Sequence, residues 1–162
     1  MVNLPATDLQ SWWDAAGTPE VRQHLQGMVD EGEVAVRARR PLCLANGNCC
    51  RFERFGHALW LSGLEVAWCL RQLPATPTPD AVETALRRGE CPFLRDGGCG
   101  IHWARPLGCR VYFCDGAGMG WQESMLESWH GRVRGLHDRL RLSYRYDEWR
   151  RLLRDFAAWR VA

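Results

Sequence analysis

Apolar side chains recur at helical spacing along most of the chain. Val21, Leu25, Met28 and Val29 fall at i, i+4, i+7 and i+8, one face of a helix. Thr18-Pro19-Glu20 just before them reads as a helix start: an N-capping threonine, proline at the first helical position and an acid in the first turn. The pattern predicts a helix to about Arg39, ahead of Pro41, with Gly27 and Gly32 weakening its middle. A short helix around Asp8 to Ala15, carrying Trp12 and Trp13, precedes it. Ala58 to Leu61 suits a short strand. Ser62 then caps a helix to Leu73 whose Leu64, Trp68 and Leu70 face inward. The run Pro74 to Pro79 reads as a stiff linker, after which Asp80 caps a helix to about Arg88. Two amphipathic helices close the chain. Leu126, Trp129, Val133, Leu136 and Leu140 mark one stripe; Trp149, Leu152, Leu153, Phe156 and Trp159 mark the other.

Two segments break this pattern. From Pro41 to Phe55 the chain has no usable period and reads as a loop holding three cysteines. Gly89 to Gly120 is glycine-rich, irregular and holds four. So little regular structure cannot fold around apolar contacts alone, and a metal centre would organise it. The expected fold is mainly α, a single small domain over 1–162, with at most a short β-hairpin. N-terminal helices fill 1–40, a cysteine-cluster core fills 41–115, and C-terminal helices fill 121–160.

Composition supports a packed core, since nine tryptophans supply large apolar area within 162 residues. The formal charge of +2 argues weakly against nucleic acid as the main partner. All 21 basic residues are arginine. Their excess from Gly131 onward reads as a solvated helix face. Met1 to Gln10 carries an acid and no apolar run, which argues against a signal peptide, and no stretch approaches the ~18 apolar residues of a membrane span. A cytoplasmic protein with no membrane partner is expected. Thiols stay reduced in that compartment, so eight cysteines point to metal rather than to disulfides.

The candidate ligands are Cys43, Cys49 and Cys50 in the first loop, and Cys91, Cys99, Cys109 and Cys114 in the second. Cys69 sits mid-helix beside Trp68 and reads as plain core. Structural zinc sites favour Cys-x2–4-Cys knuckles, in which one tight turn offers two ligands. Only Cys109-x4-Cys114 comes near that spacing. Iron–sulfur clusters accept ligands from more scattered positions and suit soft thiolates, so the spacing leans toward an iron–sulfur cluster, 4Fe-4S, with zinc as the alternative. Seven thiols exceed one four-coordinate site. Either two sites exist, or one uses four thiols and the others have structural or redox roles. The favoured arrangement draws on the second loop, with at least one ligand from the first.

Arg105 and Arg110, close to Cys109, are candidates to offset thiolate charge and donate hydrogen bonds to sulfur; Arg51 and Arg54 flank the first loop in the same way. His102 is a candidate to replace a thiol, and His57 has a weaker claim. His130 and His137 suit capping or core roles, and His24 the surface. Gly116 to Gly120 looks like a nucleotide loop but lacks a preceding strand and a phosphate-binding lysine, so it reads as a turn.

The cysteine pattern resembles the YkgJ-type cysteine-cluster family, described as zinc- or iron-chelating, with a Cys-x2-Cys-x2-Cys-Cys signature. Cys43, Cys49 and Cys50 fall on that signature, with Asn46 where its second cysteine stands. Cys91-Pro92-Phe93-Leu94, Cys99-Gly-Ile-His102, Arg105-Pro106 and Cys109-Arg110 resemble its second half, so the likeness covers roughly 41–115. It implies a chelating domain and names no reaction. Flagellin lysine N-methylases share a related cysteine-rich domain, so a metal-dependent modifying enzyme joins a zinc-built interaction protein as an alternative. The expected partner is a protein or a small molecule.

Overall fold

The computed structural model describes residues 4–113 and 119–162. Helix α1 covers Ala6–Ala16 and α2 covers Pro19–Arg39. Between them the Thr18 hydroxyl accepts the Val21 amide at 3.4 Å and Pro19 opens α2, as the sequence predicts. Val21, Leu25, Met28 and Val29 are all buried. Helix α3 (Phe52–Phe55) forms inside the segment read as loop, and is a single turn ended by Gly56 at φ 65°. Strand β1 (Trp60–Ser62) runs directly into α4 (Gly63–Arg71).

Ser62 and Glu65 form a reciprocal capping box at that junction: the Ser62 hydroxyl accepts the Glu65 amide at 3.3 Å, and the Glu65 carboxylate accepts the Ser62 amide at 2.8 Å. The helix ends at Arg71, two residues before the expected Leu73. Helix α5 spans Pro79–Arg88, and its N-cap is Thr78 rather than Asp80. Pro79, with its fixed φ and missing N–H, fits the first helical position, which pushes the cap back to the threonine; its hydroxyl accepts the Ala81 amide at 3.2 Å.

The second cysteine segment contains a small hairpin, β2 (Leu94–Arg95) against β3 (Gly98–Cys99), followed by α6 (Leu107–Val111). Asp96 at φ 47° and Gly97 at φ 76° make its turn, where two positive φ values match the strands' twist. Helix α7 (Met119–Arg139), strand β4 (Tyr146–Glu148) and α8 (Trp149–Val161) complete the described chain. Strand β4 pairs antiparallel with β1 in the register Trp60↔Glu148, Leu61↔Asp147, Ser62↔Tyr146. This ladder joins the middle of the chain to its end, and no local signal announces it.

The architecture is mainly helical, with two short two-stranded sheets. Helix α1 packs on α4, α5 on α8, and α2 on α6 and α7. Trp12, Trp129, Trp149, Phe156, Leu25 and Met28 are among its fully buried side chains. His24 is half-buried, where the surface was expected, because the helix face it edges meets Arg132 and Arg139 of α7. Among the described residues no helix is long and apolar enough to cross a membrane.

Candidate metal centre

Backbone contacts bring the two cysteine segments together. The Cys91 amide donates to the Cys50 carbonyl at 2.7 Å, and the Glu53 amide donates to the Gly89 carbonyl at 3.2 Å. Gly47, at φ 69°, lies against the hairpin turn so closely that a Cβ there would come within 2.6 Å of the Gly97 carbonyl oxygen. Asn46 uses its side-chain oxygen to accept the Asn48 amide at 3.2 Å, and Arg51 braces the same turn on the Asn46 carbonyl at 2.8 Å. A one-turn 3-10 helix, Asn48–Cys50, then aims the adjacent cysteines.

Six of the seven candidate ligands, Cys43, Cys49, Cys50, Cys91, Cys99 and Cys109, border one cavity of about 200 Å³. Cys114 lies outside the described residues, as do 116–118 of the glycine turn. Cys69 stands apart. It is fully buried in α4 and donates its thiol to the Ala104 carbonyl at 3.0 Å, and burial raises its pKa.

Cys50 is the hub of the cluster. Its thiol lies beside those of Cys49, Cys91 and Cys99, and this crowding of sulfurs raises its pKa. The neighbouring Cys50 thiol in turn brings the Cys49 and Cys99 thiols down to about 6 each and lowers that of Cys91 as well. Backbone amides assist: Phe93 donates to the Cys91 sulfur and Ile101 to the Cys99 sulfur. The Trp149 indole N–H is a further donor to Cys91. Arg105 adds positive charge near Cys49 and Cys99. Burial pushes the Cys109 thiol well above its usual range, and the charges on Cys91 and Cys99 add to the effect. Low-pKa thiols receiving N–H···S bonds are the donor chemistry a soft metal requires.

The flanking residues have separate tasks. Arg105 donates from Nε to the His102 carbonyl at 3.1 Å and from Nη1 to the Cys109 carbonyl at 3.5 Å. Arg110 holds the backbone of the same loop, with 2.8 Å bonds to the carbonyls of Arg105 and Trp103. Arg54 lies over the Phe55 ring. His102 borders the cavity, and partial burial together with Arg105 and Arg110 lowers its pKa, which favours the neutral imidazole. His57 contacts the Cys49 carbonyl through Nε2 at 3.1 Å and stacks on Tyr112. His137 is buried and contacts the Ser143 carbonyl at 2.8 Å, while His130 meets the Tyr144 hydroxyl.

Among the described residues no group of three or more His, Cys, Asp or Glu side chains is already spaced to hold a single metal ion. Sequence reasoning missed Trp149, whose position in an apolar helix stripe gives no hint of an indole N–H turned to a sulfur. Comparison of the chain with family models, with curated proteins and with solved structures finds no match.

Proposed function

We propose that this chain is a metal-binding cysteine-cluster protein that holds an iron–sulfur cluster, with a 4Fe-4S centre as the form best suited to its thiols. One observation carries the reading: six cysteines from two separate segments border one cavity, while the seventh described cysteine is left in the core. Cys49, Cys50, Cys91 and Cys99 are the proposed ligand quartet, because their thiols are neighbours around the cavity. Cys109, and Cys43 on the exposed first loop, border the same cavity as further donors. Two arguments favour a cluster. A cavity of about 200 Å³ far exceeds the room an atom-sized guest needs, roughly 10–15 Å³ for one water. The N–H···S bonds and Arg105 would offset the charge of a cluster bound by thiolates. The resemblance to the YkgJ-type family adds support. A cytoplasmic setting, where thiols stay reduced, belongs to the same proposal.

Zinc is the second reading, and the crowding of four thiols around Cys50 favours it, because neighbouring sulfurs can close on one tetrahedral ion. Purification without oxygen separates the two. The cluster reading expects a coloured protein containing iron and acid-labile sulfide. A colourless protein carrying stoichiometric zinc rejects the cluster in favour of zinc, and a protein that takes up neither metal rejects both.

A further inference from the structure

A second cavity, of about 190 Å³, lies next to the thiol cavity and shares Cys49 and Cys109 with it. Its other lining is of a different kind. Phe52, Leu61, Leu107 and Trp129 are buried around it, whereas Trp60, Tyr112 and Tyr146 border it while partly exposed to solvent. Tyr146 stacks on His130 with ring centroids 4.2 Å apart and on Trp60 at 6.1 Å. His57 stacks on Tyr112 at 4.8 Å and meets Phe52 edge-on at 5.3 Å. Two aromatic groups therefore border a space large enough for a small organic molecule.

The charge of the lining is selective. The chain has 21 arginines, yet none of the lining residues is one; the one carboxyl among them is Glu65. Glu65 is 8% exposed, and none of the salt bridges among the described residues reaches it. One of its oxygens accepts the Ser62 amide, and a carboxylate has more acceptor sites than that bond uses. Trp129 borders the cavity too, and its indole N–H has no partner among the described residues. An anionic guest would meet a carboxylate and the negative faces of aromatic rings with no guanidinium to hold it. A purely apolar guest would leave the carboxylate buried with no partner of opposite charge. An ammonium group would give it a charge-assisted partner, and the rings would take the hydrocarbon body.

We propose that this cavity binds a small organic amine, with its apolar body among the aromatic side chains and its ammonium group on the Glu65 carboxylate. The inference goes beyond the metal reading and does not depend on which metal the thiols hold, or on their holding one.

The test uses the whole protein as purified, with calorimetry and tryptophan fluorescence as readouts. Benzylamine and phenethylamine are the probes, 2-phenylethanol the neutral comparator and phenylacetate the anionic one. Both amines should bind, the alcohol at least about tenfold more weakly, as loss of a charge-assisted hydrogen bond gives, and the carboxylate not at all. In Glu65→Gln the capping box survives, because glutamine also serves that position, so the fold is kept. That variant should lose the preference for amine over alcohol. Trp60→Ala, at the partly exposed rim, should weaken amine and alcohol alike. The proposal is overturned if neither amine binds the folded protein, if alcohol and amine bind equally, or if Glu65→Gln binds the amines as the wild type does.

Discussion

Cys50 sits among three other thiols at the cavity, whereas Cys69, in the core, gives its hydrogen to a carbonyl. Their substitutions should diverge accordingly. Cys50→Ser should lose bound metal. Cys69→Ala should keep it and lose about 1–2 kcal/mol of stability, from one buried hydrogen bond and a small void. Metal analysis beside urea unfolding checks both, and metal loss in Cys69→Ala would contradict the division. Glu65 offers a test through pH. Burial raises its folded pKa from 4.5 to about 7. A raised folded pKa means that its contribution to stability is complete below the unfolded value and is lost as pH climbs through the folded one. Wild type should therefore lose roughly 3 kcal/mol relative to Glu65→Gln between the two values. Parallel pH profiles from denaturant unfolding would count against this. At this scale the cysteine types were legible in the sequence: the described loop cysteines border the cavity, and the helical one is core. The donors to sulfur were not legible, because an amide or indole N–H declares its target only through geometry.

Helix starts depend on a few neighbouring residues, and for that reason most were readable. Thr18-Pro19 and Ser62 cap as their local chemistry dictates. At α5 two adjacent candidates competed, and the proline decided for Thr78. Glycine in an element can also encode packing. Gly63, the first residue of α4, lies under the Trp12 ring of α1, so that a Cβ there would overlap the ring. Trp12 cannot easily give way, being fully buried with its indole N–H on the Ser143 carbonyl at 2.8 Å. Gly63→Ala should thus cost about 1–3 kcal/mol through overpacking, despite alanine's better helix propensity. Thermal unfolding checks the sign, and a stabilised variant would show that α1 is free to shift. Strand pairing was the unreadable part at this scale. Strands β1 and β4 are three residues each, too short for a period, and they lead directly into α4 and α8, which pack together.

Across the whole molecule, the thiol cluster sits at the edge of the apolar core, and Cys50 and Cys91 are buried in both. Trp12, Leu25, Met28 and Phe156 fill the core away from the thiol cavity, while Trp149 belongs to both, buried in the core and lining the cavity. Removing metal with a chelator should leave the helical far-ultraviolet dichroism nearly unchanged and alter the tryptophan fluorescence. Complete unfolding on chelation would mean that the metal, and not the core, holds the fold. The sequence by itself determined the helices, most of their caps, the mainly α class and the set of cysteines worth watching, because periodicity and capping act over a few residues. Only the tertiary structure decided that Cys50 and Cys91 meet through a backbone bond, that six thiols border one cavity, and that Glu65 faces a second. Those contacts join residues far apart in the chain, and long-range packing, which leaves no local trace, sets them.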